Sequence, residues 1–82
     1  MHATTGTLIL VTGDDCHLCE HGREVLDALR VGARGIAVDC GEAERLAARG
    51  IPLAFLPVLT DGSRLIAYGR FSEKRLRREL GL

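Results

Sequence analysis

Between Thr7 and Asp39 the chain passes from a β-branched apolar run, through a stretch with a three-to-four-residue apolar period, to a second apolar run. That succession limits the fold more than any other feature of the sequence. Thr7-Leu8-Ile9-Leu10-Val11-Thr12 alternates little and is closed by Gly13-Asp14, the pattern of a strand covered on both faces. From Cys16 to about Arg30, the residues Leu18, Gly22, Val25, Leu26 and Leu29 recur at helical steps, with Asp14 or Asp15 placed to cap the helix. Gly32 and Gly35 read as its end, and Gly35-Ile36-Ala37-Val38-Asp39 as a second strand. A strand, a crossover helix and a strand at this spacing predict a parallel pair with a right-handed connection.

The remainder is punctuated by glycine and proline. Glu42 to Arg49 reads as a short helix with Ala43, Leu46 and Ala47 inward, opened by a capping box, Asp39-x-x-Glu42, and stopped by Gly50. Pro52 and Pro57 forbid a regular helix across Ile51 to Leu56, which is expected to be a loop. Pro57-Val58-Leu59-Thr60, Asp61-Gly62 and Arg64-Leu65-Ile66-Ala67-Tyr68 form a hairpin signature. Ser72 is placed to cap a helix from Glu73 to Leu80, with Phe71 and Leu76 as a hydrophobic staple and Leu76 and Leu80 inward. The predicted order is β-α-β-α-β-β-α, in one domain spanning residues 1–82, since two cores in so short a chain would each be too small.

Charge and hydropathy narrow the functional classes. Eleven basic and eleven acidic residues cancel, which argues against a polycation that wraps nucleic acid or coats anionic lipid. The distribution is uneven: residues 1–62 hold nine acids and five bases, and residues 63–82 hold two acids and six bases. The mostly apolar stretch from Ile51 to Leu59 is broken by both prolines and falls far short of a membrane span. Met1-His2-Ala3-Thr4-Thr5 has neither a basic start nor a long apolar segment, so the expected compartment is the cytosol. In that reducing setting three cysteines, two of them three apart, point to chemistry or metal binding rather than to a stapled secreted fold.

Cys16-His17-Leu18-Cys19 falls between the first strand and the first helix. Residues three apart on a helix share a face, with Cα atoms about 5 to 6 Å apart, a separation that a disulfide accepts. So small a ring removes little entropy from the unfolded chain, so its value would be chemical. At a helix start the free amides and the helix dipole favour a thiolate. Cys16 is therefore the expected nucleophile, and Cys19 the residue that resolves a mixed disulfide. The acidic neighbours Asp14 and Asp15 oppose the dipole, and a protonated His17 would assist it.

This element order, together with the C-x-x-C at the strand-to-helix junction, the proline in Leu56-Pro57-Val58-Leu59, and Tyr68-Gly69-Arg70-Phe71-Ser72 before the last helix, resembles the thioredoxin superfamily, and in particular small bacterial glutaredoxin-like proteins. The resemblance implies a three-layer α/β/α domain, with a four-stranded mixed sheet in the order 2-1-3-4 and strand 3 antiparallel to the others. It implies thiol-disulfide exchange with no cofactor, and Pro57 as a cis-proline facing the cysteines. Leu56 would offer its backbone to an extended substrate, with Gly69 and Arg70 at the edge of the binding surface. The implied partners are a disulfide-containing protein or a small thiol as substrate, and a reductase or low-molecular-weight thiol as electron donor, with the protein monomeric and engaging neither nucleic acid nor membrane. Conventional glutaredoxins carry a basic residue before the cysteine pair and a Gly-Gly pair before the last helix. Here Asp14 and Asp15 precede Cys16 and Arg70 follows Gly69, so glutathione is expected to be a poor partner.

Other readings of the same residues stay open. Cys16, Cys19, His21 and Cys40, with His17 to spare, are ligand types that zinc accepts, although no second C-x-x-C or H-x-x-x-H half-site is present. A non-catalytic binding module of the same fold is the further alternative. Cys40 is either a third thiol at the active edge or a small buried hydrophobe. Arg70, Lys74, Arg75, Arg77 and Arg78 form either a solvated face or a dock for an acidic protein. Gly41, Gly62 and Gly69 read as turn formers, and none builds a phosphate loop.

Overall fold

Leu8–Thr12 forms β1, the hub of the sheet, in a computed structural model that describes residues 8–82. Thr7, expected to open this strand, lies outside the described residues. β2 (Ala33–Ala37) pairs with β1 in parallel, Leu10 opposite Gly35. β3 (Val58–Thr60) pairs antiparallel with β1, Val11 opposite Val58, and β4 (Leu65–Tyr68) pairs antiparallel with β3. The sheet is four-stranded and mixed, in the order β2-β1-β3-β4, and β3 alone runs against the others.

Alternation along β1 and β3 divides the core in two. Leu10 and Leu59 join Val25, Leu26, Phe71 and Leu76 in one cluster, so α1 (His17–Ala28) and α3 (Glu73–Leu80) pack there. Ile9, Val11 and Val58 join Ala43, Leu46 and Ile51 in the other, which receives α2 (Gly41–Ala48). A register shift at Leu59/Thr60 leaves Ile66 as an extra residue in β4, between Leu65 opposite Thr60 and Ala67 opposite Leu59. The bulge lets Ile66 and Ala67 enter the same cluster. Removing a side chain such as Leu76 from water contributes about 1.5 to 3 kcal/mol. Among the described residues no helix is long and apolar enough to cross a membrane.

Five local expectations are corrected. The cap of α1 is Cys16 rather than Asp14 or Asp15, because Asp15 turns the chain with a φ of 51° before the helix begins. α1 ends at Ala28 with Leu29 as its C-cap, and Arg30 follows with φ 57°, where the Val31 amide donates to the Leu26 carbonyl at 2.9 Å. That six-to-one closure sets the helix end ahead of Gly32, and β2 starts two residues before Gly35. The expected Asp39-x-x-Glu42 box is absent: Cys40 is the N-cap residue of α2 and makes no side-chain cap bond. Glu42 instead pairs with Arg34 of β2, Nη1 to Oε1 at 2.7 Å. Ala47 is exposed rather than inward, since the narrow apolar stripe of so short a helix is satisfied by Ala43 and Leu46.

The cysteine groove, a candidate redox site

The cysteine pair, Leu56 and Pro57 collect where β1 ends and β3 begins. Cys16 has extended backbone, φ −109° and ψ 100°, and its carbonyl accepts the first helical bonds from the Cys19 and Glu20 amides at 3.1 and 3.2 Å. Its Sγ accepts from the Cys19 amide N–H at 3.1 Å. The sulfur thus takes the place that an oxygen holds at an ordinary N-cap. The Cys16 and Cys19 Cα atoms are 5.2 Å apart and their sulfurs lie at disulfide distance. Cys16 is half-buried, whereas Cys19 is only 4% exposed. A polar groove runs past them, lined by Asp14, Asp15, Glu20 and Arg23 among others.

Leu56 and Pro57 lie along this site. The bond between them is cis. A Cβ added to Gly13 would come within 2.8 Å of Leu56 Cδ1, so Leu56 covers the loop that leads into Cys16. A Cβ added to Gly22 would come within 2.9 Å of Phe71 Cζ and 3.2 Å of Pro57 Cγ. Gly22 sits one turn after Cys19 on the same buried stripe, and only a residue without a side chain lets Pro57 approach α1 so closely. The Gly69 amide donates to the Pro57 carbonyl at 2.8 Å, which brings the end of β4 to the same place. Among the described residues the Leu56 amide and carbonyl have no backbone partner.

The other candidates are placed differently. His17 projects into solvent, its side chain 99% exposed, with Nδ1 3.6 Å from Glu20 Oε2. Arg70 is exposed on the loop before α3. Cys40 is half-buried against the α2 cluster. Among the described residues no group of three or more His, Cys, Asp or Glu side chains is gathered to hold a metal ion, so Cys16, Cys19, His21 and Cys40 are not brought together as a ligand set. The Arg34–Glu42 pair nearby is exposed. Their hydrogen bond, and then their mutual charge, raises the arginine pKa, and the same bond is the main reason that the Glu42 carboxyl is lowered. In that setting the pair tethers β2 to α2 and adds little stability.

Sequence reasoning missed three features. Arg23 lines the cysteine groove; its position four residues after Cys19, on the same helical face, was the available signal. Gly13 is the floor under Leu56. Phe55 and Tyr68 form an exposed aromatic pair, ring centroids 6.1 Å apart, beside an apolar pocket shared with Pro52, Ala54 and Leu65; no periodicity connects those positions. Searches of family models, curated proteins and solved structures found no match to this chain.

Proposed function

We propose that the protein is a thiol-disulfide oxidoreductase with a thioredoxin-like α/β/α architecture. More particularly, it is a glutaredoxin-like dithiol protein that reduces or exchanges disulfides of proteins or small thiols. The observation that carries this reading is the cap of α1, where a cysteine sulfur takes an amide hydrogen bond within bonding distance of a second, buried cysteine sulfur. Hydrogen bonding and the helix dipole both favour the thiolate of Cys16. The fold part of the proposal is supported by the sheet order and by helices lying on both faces of the sheet.

The Cys16 thiolate attacks one sulfur of a substrate disulfide, and the other sulfur leaves as a thiolate and takes a proton from water. Cys19 then loses its proton to water and attacks Cys16 Sγ. The Cys16–Cys19 disulfide forms as the second substrate thiolate departs. Two electrons pass from the dithiol to the substrate, and a reductase or low-molecular-weight thiol restores the dithiol. The free backbone groups of Leu56 suit an extended substrate segment added as a strand. Asp14, Asp15 and Glu20 around the groove repel an anionic thiol such as glutathione, and Arg70 stands where a glycine would admit it. The expected setting is the cytosol, with the protein acting as a monomer.

Peptide mapping of the oxidised protein should find the Cys16–Cys19 link, and Cys16→Ser should lower disulfide reduction by at least about a thousandfold. A protein disulfide and a glutathionylated peptide assayed side by side should show the first turned over faster. Pairing of Cys40 with either cysteine in place of the Cys16–Cys19 link, or undiminished activity of Cys16→Ser, would overturn the reading. A binding module would keep its affinity for peptide in that variant and show no exchange in the wild type.

A further inference from the structure

We propose that Arg23 is a positioning residue for the resolving thiol, with its guanidinium, seated on Gly35 of β2, stabilising the thiolate that Cys19 must form. The inference rests on the exchange activity proposed above, because only there does a buried second cysteine have to ionise. Cys19 is 4% exposed, and burial disfavours the charged form of a thiol. It borders the groove that Arg23 also lines, and residues four apart on a helix have Cβ atoms about 5 to 6 Å apart.

Arg23 and Gly35 are both exposed, and the contact between them is close. An ideal Cβ at Gly35 would lie 2.9 Å from Arg23 Nη2 and 3.4 Å from Nη1, so any other residue there would push the guanidinium aside. Glycine within a strand weakens it unless another group needs the space; Gly35 sits inside β2, opposite Leu10 of β1. Among the described residues Arg23 makes no ion pair; Asp27, one turn on, shares a second pocket with it, and Glu20 shares the groove, neither at ion-pair distance.

The remaining charges near Cys19 do not supply a cation. On α1 Glu20 opposes a thiolate and His17 points to solvent against Glu20; Asp14 and Asp15 in the preceding loop also oppose it. β1 and the segment from Ile51 to Pro57 carry no titratable side chain. His21, two residues after Cys19, lies on another face of the helix and does not line the groove; Arg34 of β2 is held by Glu42, and Arg70, before α3, does not line the groove either. In the resolving step Cys19 gives its proton to water, its sulfur bonds to Cys16 Sγ, and the substrate sulfur leaves with the electron pair of the broken bond. Arg23 touches none of the reacting atoms and acts through the charge on Cys19.

The test is a pH titration of the cysteine 13Cβ shifts in the reduced full-length protein, with wild type, Arg23→Gln, Arg23→Lys and Gly35→Val compared. Arg23→Gln should raise the Cys19 thiol pKa by roughly one unit, with a smaller change at Cys16. Arg23→Lys should stay near wild type, and Gly35→Val should move Cys19 in the same direction as Arg23→Gln. Release of substrate from the mixed disulfide should slow by up to about tenfold at neutral pH in Arg23→Gln and recover at high pH. An unchanged Cys19 titration in Arg23→Gln, or equal movement of both cysteines, overturns the proposal. The titration needs no turnover, so a wild type that reduces no disulfide refutes the exchange reading, while the Cys19 titration still decides the role of Arg23.

Discussion

The starts of α1 and α3 are built to the same plan with different atoms. At α3, Ser72 Oγ accepts from the Arg75 amide at 3.2 Å; at α1, Cys16 Sγ accepts from the Cys19 amide at 3.1 Å. α3 follows the ordinary rules throughout: Glu73 stands in its first turn, Arg77 and Arg78 in its last, and Gly81 closes it with a φ of 73°. α1 has no basic residue in its last turn, and the positive φ after its Leu29 C-cap falls on an arginine, Arg30. A hydroxyl cap stabilises a helix and stays neutral, whereas an amide donated to a sulfur in the same position favours its thiolate. The start of α3 also reaches α1, because Phe71, just before the Ser72 cap, packs onto Gly22 in the middle of α1.

That contact is where the comparison breaks most readily. Gly22→Val drives a side chain into Phe71 and Pro57, and equilibrium urea unfolding should show a loss of about 1 to 3 kcal/mol, with exchange activity falling as Pro57 is displaced from α1. A smaller effect separates the two caps. Ser72→Ala should cost about 1 kcal/mol and leave the exchange rate unchanged. Cys16→Ser keeps a capping oxygen and should leave the stability of the reduced protein within a few tenths of a kcal/mol. A Ser72→Ala variant that loses activity in proportion to its stability would remove the distinction between the inert and the reactive cap.

The smallest effect concerns a third acceptor of amide hydrogens, this time a charged one. Asp61 Oδ1 accepts from the Ser63 amide at 2.9 Å, the Ser63 hydroxyl at 2.9 Å and the Arg64 amide at 3.0 Å. The bond from the Ser63 amide is the largest cause that holds its carboxyl below the ordinary 3.8. A depressed carboxyl pKa stabilises the fold above the unfolded value, and the contribution is lost as pH falls through the folded value. Asp61→Asn should therefore be slightly less stable than wild type at neutral pH, and the gap should close in acid. Thermal melts at several pH values check this, and a gap that persists below the folded value would mean that the charge plays no part.

How far these features can be read from the sequence depends on how local they are. The α3 boundaries, its Ser72 cap and the Phe71–Leu76 staple follow from neighbours within one helical turn, and the structure has them where the pattern puts them. The cap of α1 and the first residue of β2 were displaced by one or two positions because backbone turns at Asp15 and Arg30 decide them, and neither residue advertises a positive φ. The Asp39-x-x-Glu42 spacing points to a local capping role for Glu42, but its partner Arg34 is eight residues away on β2. Gly22 was legible as one position in an apolar stripe; that it is empty to admit Pro57 was not.

The sequence by itself determined the element order, the parallel crossover and the placing of a cysteine pair at a helix start, because each depends on periodicity or on spacing within a few residues. The tertiary structure decided that Leu56 and Pro57 lie over Gly13 and Gly22, and that the Arg23 guanidinium rests on Gly35. These depend on the approach of segments far apart in the chain, where shape and the absence of a Cβ matter more than any local preference.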